Sequence, residues 1–388
     1  MPEDWTSWLE SRARVRQLRG FQRTDTSRGL LMDLASNDYL GLSRHPEVQQ
    51  AVTEAVGTYG AGATASRVAT GTLGIHRELE QALSTYSGRE KALVFSSGYM
   101  ANLGLLQALG GPGSLFILDA HAHASLIDGA RLSGAQVRMA GHNDPEVIQR
   151  LLRENFQEQT PRPRVAVVVE SIYSLLGDAA PLARIAELCA EYNALLVIDE
   201  AHSLAATERG SAVCAAGLSS ATHVLVTATL SKALGAQGGA VLFGGPNAGA
   251  LREHLVNTSR SFLFDTALAP ASAGAALKAL ELATSHRLNN LARNTDLVYE
   301  TLSGNSGLRG LIEPGAGAVH SVRMPSADAA MRVTAALREK GIAVACFRPP
   351  SVPDGISRIR ITAHAHHQPE ELVTALQTVA RTITEEPV

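Results

Sequence analysis

The sequence predicts an α/β protein built on a mostly parallel sheet, followed by a smaller α+β part. Three observations carry this. Short continuous apolar runs, such as Ala194-Leu195-Leu196-Val197-Ile198, lack polar–apolar alternation and read as strands buried on both faces. Helical stretches separate these runs, and that alternation places helices over a parallel sheet. After about Pro270 the pattern changes to a long alanine-rich helix and then to shorter, mixed elements.

The elements follow in chain order. Ala92–Phe95 reads as a strand and Tyr99–Leu109 as a helix. Ser114–Leu118 is a strand, Ser125–Ser133 a helix, and Gln136–Met139 a strand. Pro145–Glu154 opens with proline, which suits the first helical turn. Val165–Val169 is an apolar, β-branched strand, and Pro181–Tyr192 the next helix. Ala194–Ile198 and His223–Val226 are strands, and Gly239–Phe243 adds another. Ala271–Ala283 is the alanine-rich helix, followed by strands near Val319–Arg323, Ile342–Phe347 and Arg358–Thr362. These shifts divide the chain into an N-terminal arm (1–45), a large domain (46–268) and a small C-terminal domain (269–388).

At 388 residues the chain exceeds one ordinary core. Hydrophobic content of 45% against 18% charged is globular. A net charge of −3 gives no footprint for nucleic acid or an anionic membrane. Cys189, Cys214 and Cys346 form no CxxC pair, which fits a reducing, cytoplasmic setting. Met1 to Arg19 has no apolar signal core, and no run approaches the ~20 apolar residues of a membrane span.

The chemistry centres on Lys232. Only four lysines occur, and Lys232 lies between the run Val224-Leu225-Val226-Thr227-Ala228-Thr229 and the small-residue stretch Ala233 to Gly239. Desolvation there lowers an amine pKa and makes it a nucleophile for a Schiff base, with pyridoxal 5′-phosphate (PLP) the common partner. A lysine after a strand is by itself usually a solvated loop residue. The second segment, Asp199-Glu200-Ala201-His202 at the end of an apolar run, changes the balance. Ligands of parallel sheets bind at the carboxyl ends of the strands, so Asp199 and His202 are expected at the same rim as Lys232. An aspartate there can pair with the pyridinium nitrogen; alone it would read as a helix cap.

Ser96-Ser97-Gly98-Tyr99-Met100-Ala101-Asn102 follows a strand and opens a helix. Free N–H groups at such an end bind phosphate, making Gly98, Tyr99 and Asn102 candidates. Tyr59 to Arg67 is glycine-rich but is not a dinucleotide fingerprint, because no strand leads into it. It is a loop passing close to a ligand, or a plain loop.

On these residues the chain resembles the α-oxoamine synthases, a family of fold-type-I PLP enzymes. The matching segments are Asn37-Asp38-Tyr39-Leu40-Gly41, Ser97-Gly98-Tyr99, His121-Ala122-His123-Ala124-Ser125, Asp199-Glu200-Ala201-His202, Thr229-Leu230-Ser231-Lys232, Phe264-Asp265-Thr266, and Arg348-Pro349-Pro350-Ser351-Val352-Pro353 with Arg358 to Thr362. The resemblance implies roles. Lys232 would carry the cofactor, His123 stack on its ring, Asp199 meet the ring nitrogen, and His202 with Ser174 lie by the phenolic oxygen. Gly98, Tyr99 and Thr229 would hold the phosphate, with Thr266 reaching it from the neighbouring subunit of a homodimer. Arg360 would bind the amino-acid carboxylate, and Arg19, Arg348 and Ser351 would line the acyl path. Periodicity alone leaves Arg358 and Arg360 equivalent. Within the family the Arg-Pro-Pro-Ser-Val-Pro segment implies decarboxylative condensation of L-alanine with pimeloyl-CoA or a pimeloyl carrier protein, a step toward biotin. A glycine- or serine-using sister enzyme, a non-catalytic partner subunit and another PLP reaction type stay open. No metal site is expected; His121, His142, His364, His366 and His367 read as structural or exposed.

Three positions depart from the family pattern: Ala65 and Leu176, where glycine and aspartate are common, and the loop Ser203 to Ser211, where glycines are usual. Alanine and glutamate reach positive φ less readily than glycine, so this loop is expected to take another path.

Overall fold

The computed structural model describes residues 4–19, 21–23, 25, 29, 31–158, 162–207 and 209–385. The chain begins with α1 (Trp5–Leu18), capped by Asp4 and exposed along its length. A short β1 (Met32–Asp33) precedes α2 (Pro46–Tyr59) and α3 (Gly74–Ser87). The alternating region comprises β2 (Lys91–Phe95), α4 (Gly98–Leu109), β3 (Ser114–Asp119), α5 (Ala124–Leu132), β4 (Gln136–Ala140), α6 (Pro145–Glu158), β5 (Arg164–Glu170), α7 (Leu182–Glu191), β6 (Leu195–Asp199), the one-turn α8 (Ala212–Ala215), β7 (Val224–Thr229) and β8 (Gly239–Phe243). Then come α9 (Ala248–Thr258), α10 (Arg260–Leu263), α11 (Pro270–Leu282), α12 (Ser285–Ser303), β9 (Val319–Arg323), α13 (Ala327–Glu339), β10 (Ile342–Ala343), β11 (Ala345–Phe347), β12 (Arg358–Thr362) and α14 (Pro369–Thr384).

Strands β2 to β8 form one seven-stranded sheet in the order β2-β8-β7-β6-β5-β3-β4. All run parallel except β8, which is antiparallel to both neighbours. The central strands are buried on both faces, as their unbroken apolar runs require. Each fully buried Val, Leu or Ile there contributes about 1.5–3 kcal/mol. Two apolar clusters divide along this sheet, one holding Val167, Val169, Leu196 and Ile198, the other Ala166, Val168 and Val197. That is the alternation of one strand's side chains between two helical layers.

A second sheet, β11-β12-β9, is antiparallel. The stretch expected as one strand over Ile342–Phe347 divides at Val344 into β10 and β11. β10 leaves the second sheet and pairs in parallel with β1. The Thr362 N–H continues this link by donating to Leu34 O, and the Ala365 N–H to Tyr39 O. The segment after β1 is therefore built into the C-terminal region and carries Asn37 and Tyr39 toward the main sheet.

Candidate active site

The parallel strands end together. Glu170, the last residue of β5, is the register partner of Asp199, the last of β6. Thr229 ends β7, and Lys232 follows three residues on. A cavity of about 240 Å³ lies over these ends. Its lining includes Gly98 and Tyr99 at the start of α4, His123 before α5, Asp199, His202, Thr229 and Lys232. Seven predicted residues from separate parts of the chain thus converge.

Burial pushes the Lys232 amine down to about 8, with Arg360 adding to the effect and Asp199 and Glu170 opposing it. The Glu170 carboxyl goes the other way, raised to about 8 by burial and then by Asp199 beside it. Its Oε2 accepts from the Ser174 N–H at 3.2 Å, and its Oε1 is buried without a partner. The His123 ring is held below the ordinary histidine value, first by burial. Burial and the nearby cations Lys232 and Arg360 keep His202 neutral.

A hydrogen-bond chain joins the two expected ring contacts. Asn102 Nδ2 donates to Asp199 Oδ2 at 2.8 Å and to Ser125 Oγ at 2.8 Å. Ser125 Oγ lies 2.7 Å from His123 Nδ1. His123 Nδ1 also accepts from the Ser125 N–H at 3.2 Å, so it carries no proton and the Ser125 hydroxyl donates to it. Asp199 Oδ1 accepts from the Ala201 N–H at 2.8 Å. Asn102, expected at a phosphate, is instead committed to Asp199 and Ser125. His202 Nδ1 meets the buried Tyr39 hydroxyl at 2.7 Å.

The other end of the cavity suits an anion. Ser97 caps α4, its Oγ accepting from the Met100 N–H at 3.2 Å. The N–H groups of the first turn open on the cavity beside Thr229 Oγ1, which is 2.8 Å from Ser231 Oγ. Gly98 permits this approach: a Cβ there would come within 2.9 Å of Thr229 Cβ. Amine, anion cradle and aspartate in one cavity, with an imidazole at its side, fit a pyridine aldehyde bearing a phosphate. Among the described residues no His, Cys, Asp or Glu cluster is arranged for a metal.

Arg358 and Arg360 share one face of β12 but have different partners. Arg358 Nη2 contacts Glu313 Oε1 at 3.2 Å and Asp354 Oδ2 at 2.5 Å. Arg360 donates to Ser174 O at 3.0 Å and Asn37 Oδ1 at 3.1 Å, and stands over the Phe347 ring. It does not itself line the cavity but stands close enough to Lys232 and His202, which do, to disfavour their charged forms. Ser174 does not line the cavity and reaches it through its backbone bonds to Arg360 and Glu170. Arg348 donates to Gln22 O, and Ser351 accepts from Arg23, so the N-terminal arm is tied to the 348–355 loop. Arg19 is exposed at the end of α1, and Thr266 is exposed away from the cavity of its own chain.

In the 203–211 loop, Glu208 lies outside the described residues. Ala205 itself adopts the left-handed conformation, φ 55°, and its N–H bonds Gly210 O at 2.7 Å. Gly210 opposite it is also left-handed, φ 74°, and Glu200 anchors the far side of the loop, accepting from Ser211 Oγ and the Val213 N–H. The Tyr59–Arg67 loop does not line the cavity. Arg67 fastens it to α3 by a buried 2.8 Å pair with Glu80.

The sequence reading missed Glu170, Ser125, Ser231, Asn37 and Tyr39 as site residues. The signal for Glu170 was present: an acid directly ending an apolar run, as at Asp199. Asn37 and Tyr39 required the pairing of β1 with β10.

The family model for aminotransferase class I and II matches residues 30–379. The 8-amino-7-oxononanoate synthase of Mycolicibacterium smegmatis is 43% identical over 378 residues, covering 97% of this chain and 95% of that protein. The enzyme of the same name from Mycobacterium leprae is 42% identical over 363 residues, covering 92% and 91%. Among solved structures, the serine palmitoyltransferase of Sphingomonas wittichii superposes with a TM-score of 0.85 at 26% identity, covering 98% of each chain. An 8-amino-7-oxononanoate synthase from Francisella tularensis, at 24% identity and a TM-score of 0.73 over 90% of this chain and 97% of that one, shares the fold.

Proposed function

This chain belongs to the aminotransferase class I and II family, and within it to the α-oxoamine synthases, and we propose that it condenses L-alanine with a pimeloyl thioester to give 8-amino-7-oxononanoate, carbon dioxide and the free thiol. The observation that supports this best is the convergence of Lys232, Asp199 and His123 on one cavity, with Arg360 beside it. The cofactor is PLP, which when bound supplies an aldehyde that captures amines and a ring that withdraws electrons.

The chain's own groups do the rest. Lys232 Nζ, with an amine lowered to about 8, anchors the cofactor and afterwards takes and returns the alanine Cα proton. Asp199, fixed by Asn102 and the Ala201 N–H, would face the ring nitrogen. His123, held by Ser125, would stack on the ring. Gly98, Tyr99, Thr229 and Ser231 would take the phosphate. Arg360 and Asn37 receive the alanine carboxylate, for which a guanidinium offers a planar fork. Arg348, Ser351 and Arg23, in the seam between arm and C-terminal loop, and Arg19, exposed at the end of α1, would serve the acyl chain.

The thiol carrier is CoA or a carrier protein. The sheet region and the C-terminal region act as large and small domains, with the arm bridging them. The working assembly is a homodimer, in which exposed Phe264 and Thr266 of one subunit face the phosphate end of the other. No helix among the described residues is long and apolar enough to cross a membrane. The reaction is placed in the cytoplasm, where free Cys189, Cys214 and Cys346 stay reduced. Mass spectrometry of products from L-alanine, glycine or L-serine with a panel of acyl thioesters tests the reading. A product from alanine and pimeloyl thioester supports it; a preference for serine with a long acyl chain overturns it.

A further inference from the structure

We propose that His142 is a positioning residue, its ring clamping the loop that carries His123 to the hairpin that follows β5. His142 lies two residues beyond β4, outside the cavity lining. Its Nδ1 is 2.9 Å from Asp119 Oδ1, at the end of β3. Its Nε2 is 3.0 Å from Asp178 Oδ2, in the hairpin whose Ile172 and Ala179 are bridged. A neutral imidazole has one N–H and can satisfy one carboxylate; satisfying both requires the imidazolium. Burial favours the neutral ring, but the two carboxylates outweigh it and hold His142 at about 9.

Everything around the ring converges on the same two carboxylates. Asp119 also accepts from the His121 N–H at 2.7 Å and the Asn143 N–H at 2.8 Å. Asn143 Nδ2 reaches Asp178 Oδ2. The His121 ring lies flat on His142, centroids 3.8 Å apart, and Tyr173 meets it edge-on at 4.5 Å. Burial, and then the neighbouring His142, hold His121 below the ordinary histidine value. Asp354, from the loop before β12, faces His121, and burial keeps the Tyr173 phenol protonated.

The geometry gives the clamp a target. His121 is bonded through its backbone and stacked through its ring, and His123 is two residues further on. The other end holds the hairpin that carries Ser174, whose N–H bonds Glu170 and whose carbonyl bonds Arg360. The clamp thus registers the stacking imidazole against the substrate arginine. This rests on the proposed function only in giving His123 a ring to stack on.

The sign with pH follows. A folded value raised above the ordinary 6.5 means the clamp's contribution to stability is full below about 6.5 and is lost as pH rises through about 9, where the ring itself deprotonates. The test uses histidine labelled with nitrogen-15 in the cofactor-free protein, together with H142Q and D178N. The expected result is a His142 ring still protonated at about pH 8 and titrating near 9, with a lower midpoint in D178N. Amide exchange across residues 120–124 is expected to accelerate about tenfold in both variants. PLP dissociation constants are expected to rise about tenfold at neutral pH, since a small displacement of a positioning group carries penalties of that order. D178N keeps His142 in place and carries the test if H142Q does not fold. A His142 midpoint near 6.5, or unchanged exchange and PLP affinity in D178N, would overturn the proposal. These measurements need no turnover, so an error in the assigned reaction shows up separately, as a missing product from wild-type protein.

Discussion

Glu170 and Asp199 stand side by side as register partners on adjacent strands, and they differ in how they are held. Asp199 accepts hydrogen bonds at both oxygens, whereas Glu170 leaves Oε1 without a partner. Two adjacent buried carboxylates cannot both be ionised cheaply, so the proton resides on Glu170. Glu170→Gln is expected to preserve cofactor binding at neutral pH. A protonated Glu170 carries no charge to raise the Lys232 amine, so that amine is expected to stay near about 8 in the variant. Labelling of Lys232 against pH in the cofactor-free protein, read by peptide mass spectrometry, checks this. A midpoint that falls well below about 8 would show that Glu170 is ionised beside Lys232 and would refute the proton's placement on it.

In wild-type apoprotein the same labelling is expected to rise with pH and level off above about 8, where the amine is neutral. Borohydride treatment of the holoprotein should fix the cofactor on Lys232. Label on Lys91, Lys278 or Lys340 instead would remove Lys232 from its role.

Asp199→Asn keeps size and loses the charge proposed to meet the ring nitrogen. A kcat loss of about 10²-fold or more is expected, with a much smaller change in cofactor affinity, the pattern of an interaction that matters mainly at the transition state. Steady-state kinetics beside a binding titration separates the two, and an unaltered kcat would refute the assignment.

Arg360→Lys keeps the charge and loses the fork that bonds Asn37 and Ser174. The KM for alanine should rise about tenfold or more, with little change for the acyl thioester. Arg358→Lys disturbs the buried Glu313 and Asp354 contacts and should lower Tm while leaving the alanine KM near normal. If Arg358→Lys moves KM and Arg360→Lys does not, the carboxylate anchor is Arg358.

Much of this was legible in the sequence, for physical reasons. The main sheet was readable because doubly buried strands write themselves as unbroken apolar runs; Asp199 ends one such run and Lys232 follows three residues after another. Gly239–Phe243 was found as a strand, but its antiparallel direction and its place between β2 and β7 are tertiary facts that no local pattern encodes. Asn102 was misread because a helix N-terminus suggests an anion, whereas its side chain serves Asp199. His142 was passed over because its carboxylates come from residues 119 and 178, far apart in sequence. Ala205 shows the limit of residue preference: a well-anchored loop holds alanine where a lone turn would select glycine.

The pairing of β1 with β10 also orders events in time. Met32 and Asp33 leave the ribosome early, yet their partners Ile342 and Ala343 are made some three hundred residues later. At ~5–20 residues per second the arm waits on the order of half a minute for them. During that interval the main sheet can close with its lysine and aspartate in place, and Tyr39 can meet His202, but Asn37 still lacks Arg360 and the strand before it lacks its partner. The pocket proposed for the amino acid is therefore completed last, so a nascent chain can assemble the Lys232 end of the site before the Arg360 end exists.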